Sequence, residues 1–311
     1  VLVLAALTGT MSTEVVETGA FTSLEQAMLA QELAGPARTR VFGVYNAVAA
    51  LAGSIGALAA GGPAFFRELT HRAVGDRQFF LLFVPVALGG ALLAATLTPA
   101  VEHPRLEGDD LKRSSLVRSR PTVLRLSSLM AIDSFAGGFV VQAFLAFWFR
   151  ERWGLPVGTI GAVFFGVGLV QTASFLVAPR IAERIGLLPT MVATHLPSNV
   201  LLASIPLAPR PGIAIALLLA RSTLSQMDVP TRQAYVMALV DPSERMAAAA
   251  YTNTVRYIVK PVGALLAGLT FQVATGLPFL IAGAMKAAYD LILWGWFRTV
   301  ELPDEEAVVR A

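Results

Sequence analysis

Cysteine is absent from the 311 residues, which excludes disulfides and thiolate metal sites. Histidine is scarce. His71, His103 and His195 are the three present, far apart and in no H-E-x-x-H arrangement, so no histidine-based zinc site is legible. Charge is thin as well. Only 14% of residues are Asp, Glu, Lys or Arg, against about 25% in soluble domains. The net charge of +3 is small, and no patch mixes basic with aromatic residues, which argues against a nucleic-acid partner. Period-two alternation, the mark of a membrane barrel, is missing too.

What remains is apolar. Hydrophobic residues make up 55% of the chain, and they are gathered into runs. About 20 mostly apolar residues span a bilayer as a helix. Nine runs reach that scale: 1–33, 41–62, 79–101, 123–149, 157–179, 186–208, 212–240, 246–274 and 277–297. The gaps between them are short and carry Gly, Pro and charge. The expected class is all-α: a polytopic helical membrane protein with about nine transmembrane helices. A soluble bundle is disfavoured, because nine such runs would leave too little polar surface.

Lys and Arg set the orientation. With the long loop 99–125 taken as cytoplasmic, thirteen of the 24 basic residues fall inside and six outside. The C-terminus and the tail 301–311 are then cytoplasmic, and the expected location is the plasma membrane. Trp148 and Trp153 would mark the outer interface, Trp294 and Trp296 the inner one. Residue 1 is Val, with no charged region or cleavage site of a signal peptide behind it. Nine spans place that residue outside. Three further upstream helices would restore an even count; a Val read from an alternative start codon is the other way to begin here.

An internal repeat points the same way. "GALAAG" at 56–61 returns as "GALLAG" at 263–268, an offset of 207. At that offset Asn46 meets Asn253, Gln26 meets Gln233 and Thr18 meets Ser225. Glu14 falls opposite Arg221, and Glu25 opposite Arg232. The division expected is 1–98, the last three helices of a first half; 99–121, a basic cytoplasmic linker; and 122–300, a six-helix second half.

Two six-helix halves joined by a basic loop resemble the major facilitator superfamily of secondary transporters. "PRIAERIG" at 179–186 resembles that family's loop pattern G-x-L-A-D-R-x-G-R-R, matching or conservatively substituting it at Ile181, Ala182, Glu183, Arg184 and Gly186. "DVPTRQAYVMALVDPSERMAAAAYTN" at 228–253 resembles the tenth helix, loop and eleventh helix of many bacterial members. "AGSIGALAAG" at 52–61 is similar to an antiporter pattern, with Ala57 where that pattern has Pro. The resemblance implies a pseudo-symmetric two-half bundle whose helices here are the fourth to the twelfth. It implies that Glu183, Arg184 and Gly186 form a gating loop, with Glu25 and Arg232 near the same cytoplasmic ends.

One stretch, "RSTLSQMDVPTRQ", places ions inside an apolar segment. Arg221, Ser225, Asp228 and Arg232 follow helical spacing and form one stripe. Glu14, Thr18 and Glu25 form the matching stripe of the first half. Asn253, Arg256 and Lys260 share a face of the next helix. A charge at mid-membrane costs about 2.5–3.5 kcal/mol or more, so these stripes face protein or water. Asp133 stands alone in its own helix and reads as a proton carrier or as a partner of Lys260. Lys286 and Asp290, four apart, read as an internal ion pair. His195 reads as a buried histidine, and Gly138 and Gly263, with other glycines, as points of close helix packing.

The function expected is secondary active transport of a small organic solute by alternating access, coupled to a proton, as symport or antiport. The partners are the solute, the proton and the lipid bilayer; no cofactor and no metal are called for, and the chain acts as a monomer. Two alternatives are a non-transporting receptor or scaffold of the same fold and a membrane-embedded enzyme, for which no catalytic constellation is evident.

Overall fold

The computed structural model describes residues 22–30, 33, 35–71, 81, 83–96, 116–300 and 302. Among them every regular element is a helix. In chain order these are α1 (Thr22–Ala30), α2 (Gly35–Ala59), α3 (Gly62–Thr70), α4 (Phe83–Ala95), α5 (Arg120–Gly138), α6 (Gln142–Trp153), α7 (Val157–Ile185), α8 (Leu187–Ser204), α9 (Pro211–Ser225), α10 (Asp228–Leu239), α11 (Arg245–Val273) and α12 (Leu277–Phe297). Four stretches are long and apolar enough to cross a membrane: Gly35–Ala59, Arg120–Trp153, Val157–Ile185 and Leu277–Phe297. Large apolar side chains point outward along the helices, Val200, Leu265, Val273 and Leu291 being each at least 60% exposed. That surface suits a hydrocarbon solvent and not water.

Local sequence explains the breaks. Run 123–149 divides at Phe139–Val141, directly after Gly137 and Gly138. Run 212–240 divides at Gln226–Met227. Pro230 has no N–H to give to the Gln226 carbonyl, and its ring crowds that carbonyl. Helix α7 ends at Gly186, whose φ of 89° and ψ of 163° lie in a region essentially restricted to glycine. Chain direction reverses there within a single residue.

Helices α2 and α7 lie antiparallel along their whole length. Arg40 meets Glu183 at one end, Gly43 abuts the Phe175 carbonyl, Gly168 abuts Ser54, and Gly161 abuts the Ala57 carbonyl near the other end. Helix α5 packs on α11 as closely. A Cβ on Gly263 would lie 2.0 Å from the Phe135 carbonyl oxygen, and one on Gly138 2.2 Å from that of Lys260. The expectation of close packing holds at these two glycines, whereas Gly56 and Gly268 meet open space.

Apolar side chains form two main layers. One holds Phe42, Leu126, Met130, Met191, Tyr235, Tyr289 and Leu293. The other holds Trp148, Phe149, Phe164, Leu202, Ile205 and Phe279. Trp148 is therefore not an interfacial anchor as its position in the sequence indicated. It is fully buried against Trp153 and Phe279, because the break before α6 turns its face inward. Trp294 and Trp296 do lie at the surface.

A loop clamp fixes the start of α5. The Glu244 carboxylate accepts backbone N–H groups from Val117, Arg118 and Ser119, at 2.8, 2.9 and 2.8 Å. Burial opposes its ionisation, but these three donors outweigh burial and hold the carboxyl below its usual range. Beside it, Asp241 is lowered by hydrogen bonds from Ser243 and pairs with Arg118 at 3.6 Å.

Candidate functional site

Between the two apolar layers, four helices contribute polar groups, from the interior of α5, α8 and α12 and from the first two turns of α10. Helix α5 gives Asp133, α8 gives His195 and Asn199, α10 gives Asp228 and Arg232, and α12 gives Lys286 and Asp290. All are buried, none more than 7% exposed. Around them on the same helices lie apolar residues and the buried polar groups of Ser134, Thr194, Ser198, Thr231 and Gln233.

They meet one another closely. Lys286 Nζ donates to Asp133 Oδ1 at 2.5 Å. Arg232 Nη1 donates to Asp228 Oδ2 at 3.1 Å and lies 3.6 Å from Asp133 Oδ2. His195 Nδ1 donates to Asp290 Oδ1 at 2.8 Å, and Asn199 Nδ2 donates to Oδ2 of the same carboxylate at 2.8 Å. His195 Nε2 faces Asp133 Oδ1 at 3.9 Å. Three carboxyl groups, one guanidinium, one lysine amine and one imidazole thus form one connected cluster. Removing either partner of the closest pair, Asp133 or Lys286, leaves the other buried charge without that counter-charge, which costs about 3–5 kcal/mol.

The cluster opens on a cavity of about 180 Å³, far above the roughly 10–15 Å³ that one water needs. Its wall includes Asp133, His195, Asp228, Arg232 and Lys286, and also Arg221, Ser225, Gln226, Arg256 and Lys260. Tertiary structure therefore gathers seven residues singled out from sequence onto one cavity: Asp133, Arg221, Ser225, Asp228, Arg232, Arg256 and Lys260. The stripe Arg221–Arg232 survives the break at Gln226–Met227, because the chain resumes as a helix facing the same space. Asn253 lies apart from this wall and donates to Gln26 Oε1 at 3.0 Å. Glu14 and Thr18 lie outside the described residues.

Other expectations are corrected. Asp133 stands alone in its own helix, as expected, but the cation it bonds from a neighbouring helix is Lys286 and not Lys260. Lys286 and Asp290 do not form an internal pair: Lys286 turns to α5, while Asp290 turns to α8. The reason is geometric, since an i,i+4 pair in one helix competes with better-placed partners on neighbours. Glu25 accepts a hydrogen bond from the Tyr45 hydroxyl. Glu183 bonds Arg40 at 2.7 Å, Arg184 is exposed, and Gly186 makes the turn into α8. Sequence reasoning passed over His195, Asn199, Lys286 and Asp290 as site residues. The signal was present, since each helix carries two polar residues four apart in an apolar run. Among the described residues no group of three His, Asp or Glu side chains is arranged to hold a metal ion.

No family model matches the chain. It is similar to a protein of Saccharomyces cerevisiae described as an uncharacterized membrane protein, with 22% identity over 338 aligned positions covering 96% of this chain and 75% of that one.

Proposed function

We propose that the chain is a membrane-embedded secondary transporter of the major facilitator type, moving a small polar organic solute by alternating access with proton coupling. The observation that carries this reading is a roomy cavity walled by charged side chains, of which Asp133 and Lys286 come from membrane-capable helices. Such ions are costly in hydrocarbon and mark solute or proton pathways.

A two-half arrangement is supported by two buried hydrogen bonds. Asn46 Nδ2 donates to Gln233 Oε1 at 2.7 Å, and Asn253 Nδ2 donates to Gln26 Oε1 at 3.0 Å. Asn46 and Asn253 are 207 apart, and so are Gln26 and Gln233. Each bond is the other with the halves exchanged, as a two-fold relation between repeats requires. On this reading 1–98 belongs to the first half, 99–121 is the linker and 122–300 the second half. The Arg40–Glu183 pair then bridges the halves at the cytoplasmic ends, and the protein sits in the plasma membrane with its C-terminus inside.

The test is reconstitution of the full-length protein in vesicles containing a pH-sensitive dye. External amino acids, sugars and carboxylic acids are offered in turn. A solute-dependent change of internal pH, absent from empty vesicles, is the expected result. Binding of a solute without any movement of solute or proton would overturn transport.

A further inference from the structure

Asp133, the carboxylate that sequence marks as the proton carrier, is occupied. It bonds Lys286 and has Arg232 at 3.6 Å. His195 is placed differently. Its Nδ1 is fixed on Asp290, so Nε2 is the nitrogen left toward Asp133, and the ring lines the cavity. The groups facing it are Asp133 from α5, Asp228 and Arg232 from α10, Lys286, Tyr289 and Asp290 from α12, Arg221 from α9, and Asn199 on its own helix. Helix α7 brings Gln171 to the same cavity.

Helix α11 adds Arg256 and Lys260 to the cavity wall. Among the described residues His195 carries the one imidazole on that wall, and its Nε2 faces a carboxylate oxygen at 3.9 Å. Resting on the transporter reading above, we propose that His195 is the group that takes up and releases the coupling proton, with Asp290 as its positioning residue. A hydronium ion in the cavity gives its proton to the Nε2 lone pair and becomes water. On the opposite side water takes the proton back. Histidine suits this exchange, as its charge changes between about pH 5 and 8. Asp290 and Asn199 hold the ring so that Nδ1 stays a donor and Nε2 does the exchanging.

These 311 residues hold no cysteine, and labelling of the unsubstituted protein sets the background. Gln226→Cys places one thiol on the cavity wall, and Arg210→Cys places one in a loop. The full-length variants in lipid vesicles are labelled with a water-soluble maleimide. The ratio of the two rates at each pH removes the thiol's own titration. The ratio is expected to change by about threefold or more between pH 5 and 8, and to be flat when His195→Gln is added. A ratio that is flat with His195 in place, or that keeps its pH dependence in His195→Gln, overturns the proposal alone. Failure of Gln226→Cys to label at any pH removes the transporter reading and this proposal with it. Should His195→Gln fail to fold, nuclear magnetic resonance decides. With His71→Asn and His103→Gln, the single remaining imidazole must titrate between about pH 5 and 8; one fixed charge state throughout overturns the assignment.

Discussion

Asp133 and Lys286 show how a buried ion pair is read one partner at a time. Each residue was visible in the sequence as an ion in an apolar helix, but the pairing was not. Their separation of 153 positions puts the choice of partner entirely in tertiary packing. Three facing helices supply three partners for Asp133, and none lies within its own. The same applies to His195, whose role depends on Asp290, 95 positions on. The pair makes a specific prediction. Asp133→Asn and Lys286→Met should each lower stability by about 3–5 kcal/mol, since each strands a buried charge. The double variant should recover part of that loss. Thermal unfolding of the purified proteins checks it, and additive losses in the double variant would contradict the pairing.

At the scale of elements, most helices were legible and their interruptions were not. Run 277–297 coincides with α12, and 246–274 lies within one residue of α11. Apolar length alone marks these. The breaks after Gly138 and Gln226 were missed because apolar length cannot see a missing N–H or a glycine pair. Pro230 was the available signal for the second. Gly186 gives an element-scale prediction. Gly186→Ala should cost about 1–3 kcal/mol, the strain of a side chain at that backbone conformation, although space for the methyl exists. A second prediction concerns the Glu244 clamp. Its carboxyl sits below its usual value when folded, so its contribution is present above the ordinary carboxylate pKa of about 4.3 and is lost as pH falls through the lower, folded value. Melting temperature should therefore decline below that pH, and Glu244→Gln should make the decline shallower while lowering the plateau at neutral pH. A variant with the same acid limb as the parent would show that the clamp carries no linkage.

For the whole molecule, the repeat at offset 207 was the most informative sequence signal. It pointed to Asn46, Asn253, Gln26 and Gln233 before any contact was known, and these four form two reciprocal hydrogen bonds. Glycines of the same repeat were less informative, since Gly263 packs closely while Gly56 and Gly268 do not. Close packing depends on which helix face meets a neighbour, and a repeat does not reveal that. The amide pairs predict that Asn46→Cys with Gln233→Cys, and separately Gln26→Cys with Asn253→Cys, join through a short thiol-reactive cross-linker. After cleavage within 99–121 the two pieces should remain linked in both cases; pieces that separate would break the two-half arrangement. On the proposed alternating-access reading, the two halves rock against each other about the α2–α7 seam. Spin labels at Arg40 and Arg184 report one end of the α2–α7 seam, and labels at Leu58 and Val157 report the other. Distances measured by pulsed electron resonance on the full-length protein in lipid should fall into two populations at each end. A shift of pH should widen one end as it narrows the other. A single unchanging distance at both ends would contradict alternating access.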